Sequence, residues 1–268
     1  MNRRAFLGAV GSVASLGTLA YATRAGGETL EVRVWFSDRA ADYDDVPTRI
    51  REYLGRILEL GFWTVDLSIG GTVPVSTEDG AQVTRRGEWP LAVAAGAIGA
   101  RDLRPAADVN LLVTDGAMTR APTGYGLPRV ASVGGARHID DLEPFDDLFG
   151  GDGGDSEPSA EPDPRRIAPL TDATRTMQVL VHEVGHALGL RHEHGVAFRD
   201  GDAVVATPMI SAYAFGPDRE TDRSRCGIDY PDPTGRERAL SFAFSSCARR
   251  ELATVAGRSR IANTWRQS

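Results

Sequence analysis

The chain has 268 residues, 41% of them hydrophobic, enough to bury the core of one large domain or two small ones. The net charge is −7 and all 30 basic residues are Arg. That balance argues against nucleic-acid binding, which needs positive charge to neutralise phosphates. An acidic, Lys-free surface fits salty water, where acids hold hydration while salt screens their repulsion; a GC-rich genome would also favour Arg over Lys.

Residues 1–22 read as an export signal. Arg3 and Arg4 precede Phe6 and Leu7, a Gly-, Ser- and Ala-rich apolar run follows, and Ala20-Tyr21-Ala22 is a small-residue cleavage site. The Arg pair is similar to that of twin-arginine signals. The run is short and Gly-rich for a membrane anchor. A secreted protein is expected, with no stable membrane insertion once the signal is removed. Removal takes out two Arg and no acid, moving the charge from −7 to −9.

Residues 30–36 alternate apolar and polar and predict a strand. Residues 46–60 predict a helix: Ile50, Tyr53, Leu54, Ile57 and Leu58 form one stripe, and Gly61 ends it. Residues 63–69 alternate again. Residues 90–100 predict a second, Gly-weakened helix. Residues 108–113 form a short apolar strand expected at the centre of a sheet, and 128–133 a further strand that leaves through Gly134 and Gly135. Residues 140–163 hold ten acids, no Arg and several Gly and Pro, and predict a flexible acidic loop. Carboxylates suit hard cations, so a Ca2+ site there is the weaker reading; no EF-hand spacing is present.

Asp172 is the expected N-cap of a helix running to about Leu188, with Met177, Leu180, Val181, Val184 and Leu188 on its buried face. Beside that face stand His182, Glu183 and His186. The stretch 182–194 holds four of the five histidines. Positions i and i+4 share a helix face, so His182 and His186 can point at one ion. Gly189 can end the helix in a left-handed turn and bring His192 back as a third ligand. Three protein ligands with an open fourth position describe a catalytic zinc site. Glu183, beside the first ligand, can take a proton from a water that zinc acidifies. Residues 234–255 predict a last helix. Cys226 and Cys247 can form one disulfide, which export permits, or remain two buried thiols.

His182-Glu183-Val184-Gly185-His186-Ala187-Leu188-Gly189-Leu190-Arg191-His192 resembles the metzincin signature, H-E-x-x-H-x-x-G-x-x-H followed by a Met-turn. Thr207-Pro208-Met209-Ile210-Ser211-Ala212-Tyr213 is similar to that turn. The resemblance implies that Met209 forms an apolar floor beneath the histidines. Some metzincins carry a Tyr two residues after the Met; here that position is Ser211, so no role carries over to Tyr213. His194 is expected on the surface or behind the ligands rather than on the metal. The resemblance also implies an α+β, zincin-like fold over 28–258. An upper subdomain (28–189) would hold a twisted mixed sheet and the active-site helix, and a smaller irregular lower one (190–258) would follow. Residues 129–135 resemble the substrate-pairing edge strand of the adamalysin branch, making Val130, Ala131 and Ser132 candidate substrate-binding residues.

These residues predict a secreted zinc metalloendopeptidase with one Zn2+ held by His182, His186 and His192. Glu183 is its general base and a protein or peptide its substrate. The alternatives are an exported zinc-binding protein without activity and a hydrolase of non-peptide amides. Oligomeric state and cleavage preference are not encoded in any pattern seen here.

Overall fold

The computed structural model describes residues 29–117, 123–149, 166–215, 226 and 230–264. Residues 1–22, read as an export signal, lie outside them, as do 150–163 of the acidic stretch. No helix of the described residues is long and apolar enough to cross a membrane.

The architecture is α+β, with two sheets packed around one long buried helix. The elements of the first part are β1 (Thr29–Phe36), α1 (Val46–Leu58), β2 (Thr64–Thr72), α2 (Gly80–Arg85), α3 (Glu88–Ala97) and β3 (Val109–Val113). They are followed by β4 (Gly124–Leu127), β5 (Val130–Val133), α4 (Ala136–Asp140) and α5 (Phe145–Phe149). The first sheet has the order β2-β1-β3-β5-β4. Its pairs are parallel except β4 with β5, so the sheet is mixed. The apolar strand β3 is central and every one of its residues is buried.

The second part begins with β6 (Ile167–Pro169) and α6 (Asp172–Ala187), then β7 (Ala197–Asp200), β8 (Ala203–Ala206), β9 (Glu237–Ser241) and α7 (Ser246–Thr264). Its sheet has the order β6-β9-β8-β7. Helix α6 packs its apolar stripe, Met177, Leu180, Val181 and Val184, into the main core. Gln178, on the same helix, is buried and donates from Nε2 to the carbonyls of Ala206 and Ser241, both at 2.8 Å. One amide thus ties the helix to β8 and β9.

Several expectations are corrected. The β4–β5 hairpin turns at Pro128 and Arg129, with Arg129 at φ 69°, so β5 starts at Val130 rather than at 128. More importantly, β5 is an inner strand, paired with β3 on one side and β4 on the other. Val130, Ala131 and Ser132 therefore have no free edge to offer a substrate; the edge strand is β4. The helix α6 is capped by Thr171, whose hydroxyl accepts from the Thr174 N–H at 3.1 Å; Asp172 is the first helical residue. The predicted last helix splits: residues 237–241 pair as β9 with β6 and β8, and Ser245 restarts the chain as a helix by accepting from the Ala248 N–H. Cys226 and Cys247 form a disulfide, with Cα atoms 5.6 Å apart.

The acidic stretch is not wholly a loop. Its first part forms the end of α4 and all of α5, because Phe145 and Phe149 pack on Tyr53 and Phe242. The Tyr53 hydroxyl also donates to the Glu143 carbonyl at 2.9 Å. Replacing Tyr53 with Phe should cost about 0.5–1.5 kcal/mol, the net value of one hydrogen bond. Replacing it with Ala should cost about 3–5 kcal/mol, through the cavity left in the aromatic cluster. Urea unfolding of both variants checks this; equal stabilities would mean that residues 143–149 do not depend on Tyr53.

Candidate metal centre

The site grows from the C-terminal half of α6. His182 and His186 lie one turn apart on the same face, and their Nε2 atoms stand 3.1 Å from each other. Each ring is held through its other nitrogen. His182 Nδ1 is 2.7 Å from the Pro208 carbonyl, and His186 Nδ1 is 2.8 Å from the Leu190 carbonyl. A carbonyl only accepts, so both Nδ1 atoms carry the proton. Both Nε2 atoms are then acceptors, aimed at each other. Two facing lone pairs repel unless a cation lies between them, and main-chain carbonyls on the far ring nitrogens are the usual support of metal-bound histidines.

The third histidine arrives by a helix stop. Gly189 has φ 91°. Its N–H donates to the His186 carbonyl, and the Leu190 N–H donates to the Gly185 carbonyl, each at 2.9 Å. That pair of bonds is a Schellman turn. The turn does two things: it sets the Leu190 carbonyl on His186, and it sends the chain back into a 3-10 turn, His192–His194. One nitrogen from each of His182, His186 and His192 falls in a group whose members are all within 4.8 Å of one another. His182 is buried, His186 half-buried and His192 exposed, so the group is open on one side. Burial, then the neighbouring His186, lowers the His182 pKa to about 3, and burial lowers that of His186. Both are neutral imidazoles, the form that binds metals. The residues therefore fit a zinc ion with an open position.

His194 is buried and stands behind the ligands. Its Nδ1 accepts from the Arg191 N–H at 3.0 Å, and its carbonyl accepts from the Ser245 hydroxyl at 2.5 Å. Met209 is fully buried and packs against Gly185, between the two helical histidines. A Cβ on Gly185 would sit closer to the Met209 sulfur than real Cβ atoms come, so a side chain here would force Met209 to shift. Pro208, beside Met209, supplies the carbonyl that orients His182. The Thr207 carbonyl closes the same turn by accepting from the Ile210 and Ser211 N–H groups, at 3.1 and 2.8 Å. The side chain of Tyr213 lies outside the described residues.

Glu183 is 4% exposed. Burial raises its pKa to about 8, and a hydrogen bond from the Gly126 N–H works against that rise. Gly126 belongs to the edge strand β4, which crosses α6 at close range. A Cβ on Gly124 would lie 2.6 Å from Glu183 Cγ, and one on Gly126 would lie 2.6 Å from both His186 Cβ and the Glu183 carbonyl. Sequence reasoning missed both glycines. The signal was present as Gly-Tyr-Gly at the strand period, which presents two side-chain-free positions on one face.

No protein-family model matches the chain, and no curated protein does. Among solved structures, the fold is similar to that of archaemetzincin from Methanopyrus kandleri, at 16% identity and a TM-score of 0.38, over 86% of this chain and 97% of that one.

The close crossing of β4 over α6 generates a test. Gly126→Ala should push the strand off His186 and Glu183 and weaken zinc binding about 10–100-fold, the usual scale when a ligand's support is disturbed. Gly55→Ala is the control: that Cβ meets nothing within 4 Å in the middle of α1. It should raise stability by about 0.5–1 kcal/mol and leave zinc affinity unchanged. Competition with a chromophoric chelator reads the affinities; unaltered binding in Gly126→Ala would remove β4 from the account of the site.

Proposed function

We propose that this protein is a zinc-dependent endopeptidase of the metzincin type. The observation that carries the proposal is the pair of Nε2 acceptors 3.1 Å apart, each fixed by a main-chain carbonyl, with His192 beside them. His182, His186 and His192 would hold the ion. When bound, zinc would supply the Lewis acid that polarises a scissile carbonyl and acidifies the attacking water.

The remaining chemistry belongs to this chain's own groups. Glu183, adjacent in sequence to the first ligand and held by the Gly126 N–H, would ionise once a cation beside it offsets the burial that raises its pKa; its carboxylate then accepts a proton and returns it to the departing amine. The outer edge of β4 is the surface for an extended substrate. An added strand there would gain main-chain hydrogen bonds, with pockets on alternate side chains setting preference. Gly126 places that edge next to Glu183, which is where a scissile bond must lie. The buried carboxylate favours an enzyme over a protein that only stores zinc, because a zinc-only site gains nothing from burying Glu183.

The extracellular and salt-adapted readings rest on sequence: Arg3, Arg4 and the apolar run of 1–22, and an acidic chain without Lys. The disulfide between Cys226 and Cys247 agrees with an oxidising compartment.

Cleavage of an unstructured protein such as casein, with zinc present, tests the reading. The parent should cleave, and Glu183→Gln should retain zinc while losing activity by about 100-fold or more, the scale of a lost general base. Zinc bound by both with cleavage by neither would support the zinc-binding alternative. Equal cleavage by both would remove Glu183 from the mechanism.

A further inference from the structure

A cleft of about 340 Å³ lies behind the metal centre, between the C-terminal end of α1, Arg166 and the start of α7. Three arginines line it, Arg56, Arg166 and Arg249, against one acidic residue, Glu59. In a chain of net charge −7, this is a local reversal of sign. Arg56 has a loose, exposed ion pair with Asp146 at 3.4 Å. Among the described residues, neither Arg166 nor Arg249 has a carboxylate within ion-pair distance.

Arg166 is held in place at some cost. Its backbone has φ 47°, a region that non-glycine residues rarely occupy. Its Nη1 donates to the Arg56 carbonyl at 2.8 Å, and its guanidinium lies over the Phe145 ring, 5.3 Å from the centroid. Burial first, then the charge of Arg56, lowers its pKa. Packing thus brings two like charges together, and the nearby Glu59 works against the lowering of the Arg166 pKa. A guanidinium carries five donors in a planar fork, which matches carboxylate and phosphate oxygens.

We propose that this cleft binds a small multivalent oxyanion, a polycarboxylate or a phosphate-type compound, through Arg56, Arg166 and Arg249. The volume is in the range of small-molecule sites. The anion offsets the repulsion between the arginines and accepts from their guanidinium donors. Two further lining residues connect it to the metal centre. Ser245 holds the His194 carbonyl, and Thr207 both pairs with Val196 and starts the turn that carries Pro208 and Met209. The cleft thus shares its walls with the supports of His182 and His194.

Isothermal titration calorimetry of the full chain tests this, at an ionic strength fixed with NaCl. The probes are tricarballylate, a tricarboxylate, and sulfate, a tetrahedral stand-in for phosphate. Saturable binding of either at one site per chain is expected, and which one binds distinguishes a carboxylate ligand from a phosphate-type ligand. Arg166→Gln and Arg249→Gln should each weaken it about tenfold, the scale of one charge-assisted hydrogen bond. Arg249 is exposed, so that variant should stay folded even if the half-buried Arg166 does not tolerate change. Arg199→Gln, an exposed arginine outside the cleft, should bind as the parent does. Absence of saturable heat with both anions overturns the proposal. So does unchanged binding in Arg249→Gln, or an equal loss in Arg199→Gln.

Discussion

The structure depends on two main-chain carbonyls that bond to the far side of two histidine rings. Pro208 holds His182 and Leu190 holds His186. Neither carbonyl comes from α6 itself, so the helix alone does not make the site. The Leu190 carbonyl is delivered by the Schellman turn at Gly189, and the Pro208 carbonyl by the turn that Thr207 closes. These two connections fix the tautomers and leave the Nε2 atoms facing one another. Such an arrangement is costly without a cation and favourable with one. Much of the nearby packing serves it: Met209 lies where Gly185 has no side chain, and β4 crosses where Gly124 and Gly126 have none.

The second sheet gives the turns their rigidity. β8 runs directly into Thr207, and Gln178 bonds to the last residues of both β8 and β9, on the turn of α6 preceding His182. His194 is tied to Ser245, at the start of α7, and the Tyr230 hydroxyl reaches the Gly195 carbonyl at 3.3 Å. Elements far apart in sequence therefore converge on the 192–211 segment. His182 and His186 sit on a buried helix while their orienting carbonyls sit on the turns that follow it. A site that must hold its geometry within a fraction of an ångström is best placed on such rigid elements.

The three-histidine group was legible because its geometry is local. The i, i+4 spacing, the Gly three residues later and the returning His all lie within eleven residues, and helix geometry converts that spacing directly into positions. Strands β1 and β3 and helix α1 were legible from their apolar periods. What was lost depended on long-range pairing. The edge strand Gly124–Leu127 has no β-branched residue and two glycines, so its propensity is poor; it exists because it pairs with β5 and lies across α6. Residues 237–241 read as helix because Leu240 and Phe244 fit a helical stripe, yet β6 and β8 recruit them as a strand. In the acidic stretch, ten carboxylates concealed Phe145 and Phe149, whose burial against Tyr53 outweighs the local polarity.

The most direct test of the central claim is X-ray absorption at the zinc edge on the purified protein. The account predicts one zinc per chain with three imidazole nitrogens at about 2.0–2.1 Å and oxygen in the remaining position, and loss of the imidazole signal in a His182→Ala, His186→Ala double variant. A protein that takes up no zinc, or zinc whose spectrum shows sulfur ligands or is unaltered in the double variant, would contradict it.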